Sequence, residues 1–483
     1  MNRRKLPCFN LRSSVALSIF VIFLLWPSAP FRDFALYGAE PGGMPRAGLN
    51  IDNLKEGQEI SPDYLQGAIS LSAGQKLLLD DTYNLFFSNI PEFPGEPGLT
   101  CRADDVLSGS GLVRVLFSHM NLLIDWSSDP LSNMPAAVGF AVENRTLREL
   151  DVYAIRGAMS CNRTTDGTYL FLEDAAPLQP GESEPQCYGS AVGNYVVREF
   201  FLSEQKPPVN LGRVKPGERL IHGLDVGPRA WAVGLYDLEF VDAASGCRLN
   251  RSDLTPGEMV GLETFIAPLG VDLDNFLEKK LASGTVLPQS WYECEHMRGL
   301  FVPGIYPDSP AGEASSKIFT INYSADDGLA ASFALAAGDV SPAFEPDIFI
   351  NDRMRNGYDQ ASPGLKGVNK GNYGVDYTIK MELTGPVALV FQGPLQCCAV
   401  DTYNQIDTIW LDGQIKALQI KDPNYEQFHT DESALRQPGY GRVIAVFKES
   451  GRHDHVLRYI PPPNTYGPVR FYLLPLVDDR NLH

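Results

Sequence analysis

A run of strict alternation between Val375 and Leu383 constrains the fold of this chain more than any other feature of its sequence. Every second residue of the run is apolar, and the residues between them are polar. Successive side chains of a β-strand point to opposite faces, so this pattern predicts a strand with one face on a core and one in water. Gly385 and Pro386 interrupt the run, and a second apolar stretch follows from Val387 to Phe391. The two runs together predict a β-hairpin.

Strand-like runs separated by turn residues recur along the whole chain of 483 residues. Its 44 glycines, 36 prolines, 25 phenylalanines and 20 tyrosines suit a β protein with many turns. We therefore expect a mainly β fold with two β-sandwich-like domains. The predicted strands include Leu112–His119, Ala136–Glu143, Leu150–Arg156, Asn194–Phe201, Ala230–Val241, Lys317–Tyr323, Thr408–Ile420 and Val469–Leu474.

One helix is predicted, between the two β domains. Residues Asp272 to Ala282 place their apolar side chains on one helical face, Asp272 or Asp274 can cap the start, and Gly284 follows as a stop. The predicted organisation is a signal peptide or anchor (1–39), a linker (40–60), a first β-sandwich domain (61–248), a connecting segment with one short helix (249–310), and a second β-sandwich domain (311–483).

The N-terminus has the features of a targeting segment. A basic start, with Arg3, Arg4 and Lys5, precedes an apolar run from Val15 to Trp26. That run is typical of a signal peptide and is short for a membrane span. No small-residue cleavage pattern follows clearly, so an uncleaved anchor stays open. We expect a secreted or cell-surface protein that meets the membrane only through this segment, if it is uncleaved.

The formal net charge of −19 argues against a nucleic-acid partner, because an acidic chain repels phosphate backbones. An acidic surface suits either solubility outside the cell or cation binding, and the first is favoured. Cys8 lies in the N-terminal segment, which leaves seven cysteines and at most three intrachain bridges. Disulfides are expected outside the cytoplasm, and we predict a local bridge between Cys161 and Cys187.

Two sets of side chains are candidate binding sites. His453 and His455 fall on the same side of an extended segment, as a pair of metal ligands requires, but no third and fourth ligand is identifiable. A solvated hairpin loop is the alternative. Tyr373, Tyr403 and Tyr358 form a sugar-stacking platform if they are exposed, with burial in a core as the alternative. No cofactor is predicted. Calcium and zinc both lack a complete ligand set.

Segments of both predicted domains resemble a group of secreted bacterial proteins of unassigned activity. The residues that carry the similarity are LFSHMN, VGFAVENRT and VYAIRG in the first domain and NKGNYGVDYTIKMEL in the second. These proteins pair two β domains, and some carry an N-terminal segment similar to that of copper amine oxidases. The resemblance implies a location at the cell surface. It implies no catalytic residues.

The sequence contains none of the nucleophile-elbow, zinc-protease, P-loop or dinucleotide motifs, so no catalytic residue is predicted. We expect a non-enzymatic protein of the cell envelope or the medium, structural or adhesive, with a cell-surface protein or polysaccharide as its partner. One alternative is a carbohydrate-binding or carbohydrate-cleaving protein. A second alternative is a metal-binding envelope protein.

Overall fold

The prediction of a mainly β chain is confirmed by the structure, a computed structural model. It describes residues 49–72, 75, 77–80, 82–107, 111–125, 127, 132–168, 170, 184–288, 297–302, 315–336, 349, 352, 355–359, 366–369, 371–394, 404–421, 440–463 and 469–477. The predicted targeting segment, 1–39, lies outside these residues. No helix within the described part of the chain combines the length and the apolar character needed to cross a membrane.

The described residues form strands along nearly the whole chain and two α-helices. The strands are β1 Leu49–Asn50, β2 Glu59–Ile60, β3 Ile69–Ser70, β4 Leu78–Asp80, β5 Asn84–Ser88, β6 Gly98–Ala103, β7 Leu112–Met120, β8 Ile124–Asp125, β9 Ser132–Asn133, β10 Ala136–Arg145, β11 Leu150–Cys161, β12 Val209–Val214, β13 Arg219–Val226, β14 Trp231–Asp242, β15 Met259–Pro268, β16 Arg298–Phe301, β17 Ser316–Ser324, β18 Ala331–Leu335, β19 Arg355–Tyr358, β20 Lys366–Asn369, β21 Asp376–Thr384, β22 Val387–Pro394, β23 Asn404–Leu411, β24 Gln414–Lys421, β25 Gly441–Phe447, β26 Arg452–Tyr459 and β27 Val469–Val477. The helices are α1 Glu184–Ser203 and α2 Leu273–Ser283.

Two sheets enclose the first core. Sheet I has the strand order β13-β10-β15-β6, and sheet II has the order β12-β11-β14-β7-β5-β16-β19-β20. Val138 and Phe140 of sheet I pack with Val113 and Phe117 of sheet II in one buried cluster. Alternate residues of β7 therefore face this core, while the residues between them face the opposite side of sheet II.

Two further sheets enclose the second core. Sheet III has the order β24-β23-β26-β21-β17-β4, and sheet IV has the order β2-β25-β22-β27-β18-β3, with β1 also paired to β27. The short strands β1 to β4 thus pair with strands from the C-terminal half. Strands β1 and β2 lie in the predicted linker (40–60), and β3 and β4 lie in the predicted first domain (61–248). Strands of two or three residues carry too little alternation to indicate their partners.

The predicted hairpin of β21 and β22 is wrong. β21 pairs with β17 and β26 in sheet III, whereas β22 pairs with β25 and β27 in sheet IV. Gly385, at φ 81°, lies in the connection that carries the chain from one sheet to the other. The apolar faces of both strands meet in the same core. The alternation indicated correctly which side chains are buried, but it does not specify which strands pair.

The strand predicted over Asn194–Phe201 is also wrong, because these residues belong to helix α1. Val192, Val196, Val197 and Phe200 are fully buried or nearly so, which is the spacing of one helical face. This face packs on the outer side of sheet II in a cluster that includes Trp231. Branched and aromatic residues favour strands in isolation, and tertiary packing overrides that preference here.

The helix predicted over Asp272–Ala282 is confirmed as α2. The side chain of Asp272 caps its start by accepting a hydrogen bond from the N–H of Asn275, and Gly284 ends it at φ 63°. In contrast, the single strand predicted over Thr408–Ile420 is a hairpin of β23 and β24. Asp412 and Gly413 form its two-residue turn with φ of 47° and 83°, which is the aspartate-glycine turn that the prediction missed.

Candidate functional site

The outer face of sheet I carries a cluster of ionisable side chains, called here the charged face. It consists of Arg102, Asp104, Glu143, Arg145, Arg219 and Glu263. Its position follows from the alternation of β15: Leu262 and Ile266 point into the core between the sheets, so Glu263 points away from it.

Strand register places these side chains together. Glu263 lies directly opposite Arg102 on β6 and Ala141 on β10. Glu143 lies opposite Arg219 on β13. Directly opposed residues of antiparallel strands share a face, so three neighbouring strand pairs converge on one patch.

Ion pairs connect the rim of the charged face. Arg145 Nη2 lies 3.0 Å from Asp104 Oδ1, and Arg145 Nε lies 3.1 Å from Glu143 Oε2. Arg219 donates from Nη2 to Glu143 Oε1 at 3.2 Å. A Cβ added at Gly261 would lie 2.6 Å from Nη2 of Arg145, so the glycine leaves room for the guanidinium to lie across β15. The three arginines stay partly exposed, and their charges are available at the surface.

Glu263 is the unusual member of the charged face, because it is fully buried and neither carboxyl oxygen has a hydrogen-bond partner among the described residues. Burial raises the pKa of Glu263 to about 8, and the negative charge of Glu143 acts in the same direction. The positive charges of Arg145, Arg102 and Arg219 lower this pKa but do not offset the burial. At neutral pH the face therefore presents three guanidinium groups against two carboxylates.

A rigid turn adjoins the charged face, between β10 and β11. Asn144 donates from Nδ2 to the carbonyl oxygens of Arg148 at 2.7 Å and Val214 at 2.9 Å. The N–H of Leu147 donates to Glu258 Oε1 at 2.8 Å. Hydrogen bonds from Thr255 and from this N–H lower the pKa of Glu258 to about 2. These bonds fix the turn while the side chain of Leu147 stays 81% exposed at its tip.

The predicted tyrosine platform is only partly described. Tyr373 is half-buried and packs against Phe87, with ring centroids 6.3 Å apart, and burial raises the pKa of its hydroxyl. Tyr358 is half-buried on β19. Tyr403 lies outside the described residues, so the platform of three tyrosines stays a prediction. The ring of Tyr373 packs against the buried cluster that contains residues of α1 and sheet II.

The two predicted metal ligands lie on strand β26 and contact each other. His453 Nδ1 is 2.8 Å from His455 Nε2, and the remaining nitrogens face the carbonyl oxygen of Gly385 at 3.1 Å and Asp412 Oδ2 at 2.6 Å. Every ring nitrogen of the pair thus has a protein partner. No group of three or more histidine, cysteine or acidic residues within the described ranges is arranged to hold a metal ion. The alternative of a solvated loop is wrong, because both residues lie in a strand.

The predicted bridge between Cys161 and Cys187 is not formed in the structure. Cys161 is a buried free thiol whose Sγ donates to the carbonyl oxygen of Arg163 at 3.3 Å, and burial raises its pKa. Cys187 lies in the first turn of α1, and its side chain is outside the described part of the chain.

Sequence inspection also missed a serine–histidine pair. Ser88 Oγ lies 3.0 Å from His119 Nε2, and His119 Nδ1 lies 2.9 Å from the carbonyl oxygen of Pro91. The pair resembles a nucleophile and its base, but both side chains are fully buried between the sheets. Burial lowers the pKa of His119 to about 4. A substrate has no access to this pair, and Thr264 donates to Ser88 as part of a buried polar cluster.

Comparisons with known proteins identify no family for this chain. No protein-family model and no curated protein matches it. Among solved structures, the CUB1-EGF-CUB2 domains of rat MASP-1 match at 9% identity over 79% of this chain and 95% of that chain, with a TM-score of 0.15. The plant peptide RALF23 in complex with FER and LLG2 matches at 10% identity over 78% of this chain and 96% of that chain, with a TM-score of 0.14. TM-scores this low support no argument about fold or function.

Proposed function

We propose that this chain is a non-enzymatic protein of the cell envelope or the medium, structural or adhesive, that binds a cell-surface polymer through the charged face. The observation that carries the proposal is the buried, unpartnered carboxyl of Glu263 beneath three partly exposed arginines. A neutral Glu263 leaves this face with an excess of positive charge on a chain whose formal net charge is −19.

The chemistry of the face favours an anionic partner. Guanidinium groups bind carboxylate and phosphate in a planar, two-point geometry, which suits an acidic polysaccharide or a phosphate-containing wall polymer. The rest of the acidic chain repels such a polymer, so attraction is confined to the charged face. The rigid turn beside it adds Leu147 as one exposed apolar contact at the edge.

The proposal predicts that Arg145→Gln or Arg219→Gln weakens retention on purified anionic wall polymers by about tenfold at low salt, since each removes a charge-assisted hydrogen bond. The matched control is Arg213→Gln, which removes a surface arginine of β12 that is 55% exposed and paired with Asp151. Retention on the polymer is measured for all variants, and circular dichroism verifies that each variant is folded. Equal retention for the two charged-face variants and the control contradicts the proposal.

The second candidate is a carbohydrate-cleaving protein, favoured by two carboxyl groups on one face of sheet I, those of Glu263 and Glu143. Burial raises the pKa of Glu263 to about 8, and Glu143 forms ion pairs with Arg145 and Arg219. Glu263 has no exposed surface, so cleavage by this pair requires the arginines to move aside and admit the polymer. The variant Glu263→Gln separates the two functions. Glutamine keeps a neutral side chain, so an adhesive protein retains its binding, whereas a hydrolase stops releasing new reducing ends from the polymer. Adhesion is favoured if Glu263→Gln binds as the wild type does and the wild type releases no reducing ends.

A further inference from the structure

Four polar side chains are completely buried in the core between sheets III and IV: Lys317, Asp352, Asn372 and Tyr377. Lys317 and Tyr377 lie directly opposite each other on the parallel strands β17 and β21. Their neighbours at alternate positions, such as Phe319 and Ile379, belong to the apolar core, so both side chains point into it. Asn372 lies in the turn before β21 at φ 50°.

Three donors converge on one oxygen of Asp352. Its Oδ1 lies 2.9 Å from Lys317 Nζ, 3.1 Å from Asn372 Nδ2 and 2.6 Å from the hydroxyl of Tyr377. Asn372 Nδ2 also donates to the hydroxyl of Tyr377 at 3.0 Å. Asp352 Oδ2 and Asn372 Oδ1 have no hydrogen-bond partner among the described residues. An amine, a carboxyl and an amide are therefore held together in a buried core.

A buried ammonium and a buried carboxylate are each costly in an apolar core, and their mutual attraction offsets that cost only when their hydrogen bonds are complete. Here the bonds are incomplete, because one oxygen of Asp352 is unpartnered. Transfer of one proton from Lys317 to Asp352 removes both charges and leaves an uncharged amine. An uncharged lysine amine is a nucleophile, and the amide carbon of Asn372 is an electrophile. The amine and the amide nitrogen share one oxygen of Asp352.

We propose that Lys317 and Asn372 form an intramolecular isopeptide bond, with Asp352 as the catalytic residue. Asp352 accepts one proton from the ammonium of Lys317, and Nζ then attacks Cγ of Asn372. A second proton of Nζ passes to Nδ2, the Cγ–Nδ2 bond breaks, and ammonia leaves. The products are the Nζ–Cγ amide, one ammonia molecule and a protonated Asp352, so atoms and charges balance without an oxidant or a cofactor.

The position of Asp352 favours the amide carbon of Asn372, rather than the carboxyl carbon of Asp352, as the carbon that Lys317 attacks. Its Oδ1 contacts both the attacking nitrogen and the leaving nitrogen, which is where a proton carrier must lie. The bond would join β17 covalently to the turn before β21. It is independent of the charged face, because it requires no external partner.

The test is the mass of the recombinant full chain, measured after reduction and denaturation and followed by tryptic mapping. We expect the wild type to be lighter than its sequence by one ammonia molecule, with Lys317 and Asn372 in one branched peptide. Asp352→Asn and Lys317→Arg should show the full mass of their sequences. If a variant fails to fold, the wild-type mass and the branched peptide still decide. A wild-type mass equal to that of its unmodified sequence overturns the proposal. A loss of one water molecule that maps to Lys317 and Asp352 also overturns it.

Discussion

Replacing Asp237 by Asn is expected to lower the free energy of unfolding by about 3–5 kcal/mol, because it breaks a fully buried ion pair. Asp237 accepts two hydrogen bonds from Arg114, at 2.7 and 3.0 Å, and one from Arg156 at 2.6 Å. The side chains of Arg114 and Asp237 have no exposed surface. An amide in place of the carboxylate leaves buried guanidinium charge without its counterion.

The position of this network explains the size of the expected effect. Arg156 also lies 3.2 Å from Asp376, so the network links β7, β11 and β14 of sheet II to β21 of sheet III. Burial alone would raise the pKa of Asp376, but the charges of Arg458 and Arg156 lower it, so the carboxyl stays ionised. Loss of one carboxylate thus disturbs packing in both pairs of sheets.

The matched control is Asp151→Asn. Asp151 accepts two hydrogen bonds from Arg213, at 2.8 and 2.9 Å, in the same two-point geometry, but Arg213 is 55% exposed. Exposed ion pairs contribute about 0–1 kcal/mol to stability, so the free energy of unfolding of this variant should be close to that of the wild type. Urea titration of both variants gives the comparison. Similar losses for Asp237→Asn and Asp151→Asn would show that burial does not determine the effect.

The sequence allowed prediction of elements whose signal is local. Helix α2 was predicted because its cap at Asp272, its apolar face and its stop at Gly284 are neighbours in the chain. Strands β7, β10 and β14 were predicted from strand-like segments of at least eight residues that are rich in apolar side chains. In each case the residues that determine the element lie within it or directly beside it.

What could not be predicted depends on residues far apart in the chain. The partner of Arg114 is 123 positions away, and Glu263 becomes buried only because register places it between β6 and β10. A local signal existed for both residues: each is a lone charge inside an apolar strand, at a place where burial is expected on two faces. The sequence thus indicates that such a charge has an unusual environment, but only the pairing of the strands shows what that environment is.

Glu263 supplies the second large effect, a dependence of stability on pH. Its pKa is about 8 in the folded chain, against 4.5 for an exposed glutamate, so between these limits the folded state binds more protons than the unfolded state. Stability therefore falls as the pH rises through this window. The full effect at a pH above 8 is about 4–5 kcal/mol for a completely buried group.

The variant Glu263→Gln removes this dependence, so it should match the wild type near pH 4 and become more stable than the wild type by several kcal/mol above pH 8. Glu258→Gln is the control of opposite sign. The pKa of Glu258 is lowered, so its contribution to stability is present above pH 4.5 and is lost as the pH falls toward 2. Urea titrations at several pH values give both curves.

Parallel curves for the wild type and Glu263→Gln would mean that the three arginines hold Glu263 ionised in the folded chain at neutral pH. The charged face would then carry no excess of positive charge, and its attraction for an anionic polymer would lose its basis. Divergent curves predict instead that retention of the wild type on that polymer weakens above pH 8, as Glu263 loses its proton, while Glu263→Gln keeps its retention. Stability and binding should therefore change over the same pH range, because both depend on one buried carboxyl.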